Sequence, residues 1–292
     1  GQSTTGGAGG PLVSVTTLAD DGPGSLREAA TTPGAAWIRF EVDGTIALED
    51  DILVSSDKTL DGRGADVTIT GGGLYVQGGE GNVIVNNLKL RDTPDDIIRF
   101  FDGGTQMWIH HCDLSNGGDG AFDATEGVAE ITVSYTHVFD HDKVMLTGAG
   151  SPEGDGDSMR WTAHHNYYDN VVQRLPGIRF GWAHTFNNLY EWKNGTAIWV
   201  RLGAQALVEH NIIAPQTGVG HKFVTSDEES KFKMVDNLEQ PLEGDEIEFV
   251  ESDPDGVFAA SDYYDYTLEV ADEGLADRIR TEAGWQDVPF PE

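Results

Sequence analysis

Seven charged side chains hold the chemistry that this sequence offers: Asp96, Asp119, Asp123, Lys143, Arg174, Arg179 and Arg201. Clustered carboxylates suit a hard cation such as calcium, which takes oxygen ligands at about 2.3–2.6 Å. Lysine and arginine suit an anionic partner, because charge-assisted hydrogen bonds to a carboxylate are short and strong. The stretch "RLPGIRFG" (174–181) sets two arginines five residues apart, with Pro176 stiffening the backbone between them. They are conspicuous in a chain with 50 acidic residues, 18 Lys and Arg, and a formal charge of −32. A protein this acidic that acts on an anion needs a local positive strip, here calcium plus the four cations.

The same surplus of acid argues against nucleic acid and anionic membranes as partners, since long-range repulsion opposes encounter. It suits a solvated surface working in concentrated salt, where the Debye length shrinks to about 3 Å at 1 M. At 292 residues and 38% hydrophobic content the chain can bury a core, and its 37 glycines suit an all-β protein rich in turns. Its one cysteine, Cys112, excludes internal disulfides. The opening "GQSTTGGAGG" is expected to be the trimmed start of a mature, extracellular protein.

The elements that must position the charges repeat. Six segments stack on one another: "IVNNLKL" (84–90), "WIHHCDL" (108–114), "VSYTHVF" (133–139), "TAHHNYY" (162–168), "HTFNNLY" (184–190) and "LVEHNII" (207–213). Their fifth positions are Leu88, Cys112, His137, Asn166, Asn188 and Asn211, separated by 24, 25, 29, 22 and 23 residues. A period near 23 with β-branched content and no helical periodicity predicts a right-handed parallel β-helix. The leucine pattern of leucine-rich repeats is missing. The long interval contains "GAGSPEGDGDS" (148–158), expected to bulge from one coil. The marker asparagines are assigned to a structural amide ladder.

The sequence is expected to form a single domain over 1–292, with 1–20 as a flexible N-terminus. Residues 21–30 predict a short capping helix with Ser25 near its start. The acidic extension 215–292 is expected to be irregular or helical, with a helix within 269–285 packing back on the coils.

Counted from each marker, Asp96, Asp119, Lys143 and Arg174 follow at eight, seven, six and eight positions. Four successive coils thus set acid, acid, base and base at nearly one angular position. With coils about 4.8 Å apart, they would line a groove along the axis. Asp119 and Asp123 can share an ion only if the chain bends between them, which Gly120 permits. His111, His137, His141, His164, His165 and His184 are assigned structural roles, and no His/Cys spacing suits zinc.

Together "WIHHC", "DGAFD", "HDKVMLTG" (141–148), "RLPGIRFGWAHTFNNLY" (174–190) and "VRLGAQALVEHN" (200–211) resemble the pectate lyases of polysaccharide lyase family 1. The likeness covers roughly 22–214, with a weaker match at the C-terminal "AGW". It implies calcium-dependent cleavage of polygalacturonate by β-elimination, giving an unsaturated product end, in a secreted monomer. It implies calcium-binding roles for Asp96, Asp119 and Asp123 and a substrate contact for Lys143. It also implies a catalytic base at Arg174, and arginines holding substrate carboxylates at Arg179 and Arg201. One departure is His110, where the family usually has aspartate. The alternatives are a pectin lyase, a β-helix hydrolase and a non-catalytic carbohydrate-binding protein. The three retained acids argue against the first, and missing Gly-His-Gly and Arg-Ile-Lys motifs against the second. The third would not need Lys143 and Arg174 above the acids.

Overall fold

The computed structural model describes residues 1–148, 156, 158–193, 195–217, 221–249 and 254–291. The chain winds as a right-handed parallel β-helix. Its coils build three parallel sheets, one of ten strands and two of nine. We call the nine-stranded sheet from Ile52–Leu53 to Glu248–Phe249 the groove sheet, because it carries the charged column.

The corners explain the motif. Each strand of the ten-stranded sheet from Val83–Asn86 onward passes to the other nine-stranded sheet through two residues. The first has a left-handed backbone: Asn87, His111, Tyr135, His165, Asn187, His210 and Asp236 have φ between 48° and 57°. Asparagine, aspartate and histidine tolerate that region better than other side chains, which accounts for "NN", "HH" and "HN" in the repeat. The second turns inward. Asn188 Nδ2 donates to Asn211 Oδ1 at 2.9 Å, Asn166 Nδ2 to Asn188 Oδ1 at 2.9 Å, and Asn211 Nδ2 to Asn237 Oδ1 at 3.1 Å. Three His and Tyr rings stack on the outside: Tyr135 lies 5.1 Å from His111 and 4.7 Å from His165.

The register corrects one marker. His137 pairs with Asp113 and Tyr167, so the inward position belongs to Thr136, whose N–H donates to Asn166 Oδ1 at 2.9 Å. Intervals along the ladder are therefore 30, 22, 23 and 26 residues from Thr136 to Asn237. The core is made of aliphatic columns such as Ile38, Leu60, Val85, Ile109 and Val133, each at most 1% exposed.

Both ends depart from expectation. Instead of a flexible lead-in, Leu12–Val15 pairs with Ala36–Phe40, and the N–H groups of Thr5 and Gly6 both donate to Asn82 Oδ1. Coils also continue beyond 215, through Lys222–Ser226, Lys231–Val235, Leu238–Glu239 and Glu248–Phe249. The expected capping helix is α1 (Leu26–Thr31), with Ser25 Oγ accepting from Glu28 N at 3.1 Å. The C-terminal helix is α2 (Glu273–Glu282), started by Asp272. The final segment then runs back along the corner ridge, bonding Tyr135, Asp113, Asn87 and Gly64 in turn. Within the described residues, no helix is long and apolar enough to cross a membrane. The expected bulge at 148–158 lies mostly outside the described residues.

Removing a ladder amide orphans buried partners on both sides, each costing about 1–3 kcal/mol. Asn188→Ala is expected to lose about 3 kcal/mol in urea unfolding, and Asn237→Ala, at the half-buried end, clearly less. Equal losses would contradict the ladder account.

Candidate active site

The charged residues sit on five consecutive strands of the groove sheet. Asp95 and Asp96 lie in the turn before Ile98–Phe100, and Asp119 just before Gly120–Ala124, which contains Asp123. Lys143 begins Lys143–Thr147, Arg174 precedes Gly177–Arg179, and Arg201 ends Thr196–Arg201. Parallel register stacks them: Gly120 pairs with Lys143, Lys143 bridges to Gln173, and Arg179 pairs with Arg201.

Contacts within the groove are close. Lys143 Nζ donates to Asp119 Oδ1 at 2.6 Å, and Gly120 N to Asp96 Oδ1 at 2.7 Å. Asp123 Oδ1 accepts from Leu146 N at 3.1 Å. A Cβ on Gly120 would stand 2.4 Å from Asp123 Oδ1 and 2.9 Å from Asp96 Oδ1, so one of the two carboxylates would have to move to admit it. The missing side chain leaves the space between two carboxylates open. Arg174, with a left-handed φ of 61°, exerts an attractive charge on Asp123. Arg179 Nη1 donates to Gly148 O at 3.3 Å, and the Arg201 guanidinium lies 4.0 Å from the centre of the Trp199 ring.

Burial first, then the neighbouring charges of Asp95 and Asp119, push the Asp96 carboxyl up to about 6, against the Gly120 N–H and Arg99. Burial, then Asp96 and Asp119, push Asp123 up to about 8, although Arg174 pulls the other way. Both carboxyls therefore stay above their usual range despite Arg99 and Arg174 nearby. The donor set of the groove also fits a cation. Ligand oxygens of Asp95, Asp96 and Asp119 lie within 4.8 Å of one another, a spread that one calcium with bonds of about 2.3–2.6 Å can bridge.

The trio differs from the three acids expected. Asp95 joins it, while Asp123 stands across the Gly120 gap from Asp96. Sequence reasoning also passed over Arg99, the strand partner of Asp123, whose Nε lies 3.8 Å from Asp96 Oδ2 and whose guanidinium covers Phe101. The outward position of Arg99 between inward Ile98 and Phe100 was the available signal.

The histidines lie elsewhere. His110 is on the ten-stranded sheet, its Nδ1 2.9 Å from Ser134 Oγ, which also accepts from Trp108 Nε1. Burial, with His111 beside it, pushes its pKa down to about 3. His184 Nε2 meets Glu209 at 2.8 Å, His165 Nε2 meets Glu269 at 2.9 Å, and His141 accepts from Gly117 N.

A parallel β-helix with acids and bases in one groove defines a class, and the comparisons place the chain in it. The chain belongs to the pectate lyase family, whose model matches residues 38–287. It is 40% identical to a pectate trisaccharide-lyase from Thermotoga sp. (strain RQ2) over 204 residues, 65% of this chain and 53% of that protein. It is 34% identical to pectate lyase 5 from Ambrosia artemisiifolia over 261 residues, 80% of this chain and 63% of the relative. The chain thus spans about half to two thirds of the length of these curated relatives. The crystal structure of jun a 1, the major cedar pollen allergen, superposes with a TM-score of 0.83 at 26% identity, covering 97% of this chain and 91% of that one. A pectate lyase from Bacillus sp. N165, in complex with trigalacturonate, gives 0.70 at 21% identity, covering 96% and 95%.

Two predictions follow from the site's geometry. Gly120→Ala is expected to abolish calcium binding in titration calorimetry while circular dichroism keeps its strand signal. Wild-type binding would overturn the site. Because the fold raises the pKa values of Asp96 and Asp123, their contribution to stability is full below about 4 and lost as pH climbs through about 6 and 8. Melting in chelator should show that decline, and saturating calcium should remove it.

Proposed function

We propose that this chain is a calcium-dependent pectate lyase that cleaves polygalacturonate by β-elimination, leaving 4,5-unsaturated oligogalacturonides. The observation that carries the reading is the juxtaposition of the acid cluster with Lys143 and Arg174 on one sheet face. Asp96, Asp119 and Asp123 hold the calcium in this reading, with Asp95 as a further carboxylate at its edge. Bound there, the ion supplies positive charge to a galacturonate carboxylate and clamps the sugar in the groove.

The chain's own residues do the rest. Lys143, released from Asp119, pairs with a substrate carboxylate, and Arg179 and Arg201 hold carboxylates farther along the groove. Neutralising the carboxylate next to C5 makes the C5–H acidic enough to lose. Arg174 takes that proton. The C–H pair forms the C4=C5 double bond, and the C4–O bond breaks, its electrons leaving on the oxygen, which is then protonated. Free arginine holds its proton more tightly than any other side chain, so a mechanism that uses it as the base predicts an alkaline optimum.

The three acids favour pectate over methyl-esterified pectin, which offers no charge to pair with calcium. A polymeric substrate is consistent with a secreted, monomeric enzyme, and we take 1–292 as one domain. The charge of −32 supports tolerance of strong salt.

The test is ultraviolet absorbance of the unsaturated uronide, released from polygalacturonate with calcium and with chelator. Absorbance should rise only with calcium. Arg174→Lys is expected to lose about 10²–10⁴-fold in kcat. Reducing ends without absorbance, indifference to chelator, or near wild-type activity of Arg174→Lys at neutral pH would each sink the reading.

A further inference from the structure

A second cavity, of about 890 Å³, lies on the ten-stranded sheet, away from the groove sheet. Its floor is formed by outward side chains of that sheet, including Trp108, Thr132, Thr162 and Trp182, and one wall by residues 258–267. That wall is anchored by two tyrosines. The Tyr264 hydroxyl lies 2.5 Å from His184 Nδ1 and 3.1 Å from Thr162 Oγ1, and the Tyr266 hydroxyl donates to Glu209 Oε1 at 2.8 Å.

Tyr263, next to the first anchor, behaves differently. The residue is 51% exposed, and its ring stands edge-on to Trp182, with centroids 5.2 Å apart. Phe258 stacks on Trp182 at 5.1 Å and 11°. The Arg160 guanidinium lies 5.5 Å from the Trp182 centroid and 5.6 Å from that of Tyr263. The exposed Tyr263, held beside the half-buried Trp182 and Phe258, offers aromatic area that gains from being covered.

We propose that this cavity binds a neutral oligosaccharide of pyranose units, at a non-catalytic site separate from the groove. Sugar rings carry flat C–H faces that lie against aromatic rings, and hydroxyls that bond to polar rims. The exposed Tyr263 beside Trp182 provides the first need, and the exposed polar side chains of Glu130, Asp265 and Thr267 the second. Charge selects against uronates. Arg160, the one lysine or arginine among the described lining residues, shares the cavity with Glu130 and Asp265 and already lies against two rings. A polyanion would meet two carboxylates here in a chain of net charge −32. Occupied by neutral chains, the site holds the protein on a mixed polysaccharide while the groove, on another sheet, takes the acidic chain.

The experiment is calorimetric titration with β-1,4-linked galactotetraose and, separately, trigalacturonate, both in chelator to silence the groove. Wild type should bind galactotetraose saturably. Tyr263→Ala should weaken that binding roughly tenfold, without changing the melting temperature or the calcium-dependent rate on polygalacturonate. Arg160→Ala, with the same controls, should leave trigalacturonate binding no stronger than that of galactotetraose. The proposal is overturned if galactotetraose does not bind, if Tyr263→Ala leaves its binding unchanged, or if trigalacturonate is the tighter ligand of a Tyr263-dependent site. The polygalacturonate assay reads the groove alone, so a failure of either reading is recognised separately.

Discussion

Parallel strands in register, about 4.8 Å from coil to coil, are the constraint from which the rest of this structure follows. Backbone N–H and C=O groups of the described strands pair with the coil above or below, so an inner coil cannot shift without breaking two ladders at once. Side chains are then compared vertically. An inward position must suit the one above it, which gives aliphatic columns and the run from Asn166 to Asn237. An outward position acquires lateral neighbours two dozen or more residues away, as Asp119 acquires Lys143.

That geometry also decides the electrostatics. Stacking carboxylates on adjacent coils buries them and sets like charges together, and burial first, then those charges, pushes the carboxyls of Asp96 and Asp123 above their usual range. Arg179 and Arg201 are direct strand partners, and each is steadied locally, by Gly148 O and by the Trp199 ring. A groove so divided is poised for a cation at one end and a polyanion along its length. Neither need is met by the chain alone.

Much of this was legible in the sequence because a β-helix writes its geometry as a period. The polar pairs of each corner gave the coil spacing, and the spacing gave the charged column. What failed did so for physical reasons. His137 looked like a marker because "VSYTHVF" begins one residue late, and Thr136 fills the ladder with a hydroxyl and a backbone N–H instead of an amide. Asn237 continues the ladder, but amid acid-rich residues that hide the alternation. Asp95 was passed over because strand alternation assigns neighbours to opposite faces, and the turn before Ile98 does not alternate. The aromatic cavity draws Trp108, Arg160, Trp182 and Tyr263 from distant segments, with no spacing to announce it.

The central claim is that folding alone prepares an oxygen cage for a divalent ion beside two cations. A crystal soaked in calcium chloride tests it directly. The account predicts an ion about 2.3–2.6 Å from carboxylate oxygens of Asp96 and Asp119, with Asp95 or Asp123 completing the set and Lys143 Nζ displaced from Asp119. Density at no point between those carboxylates, with the Lys143–Asp119 bond intact at saturating calcium, would contradict it.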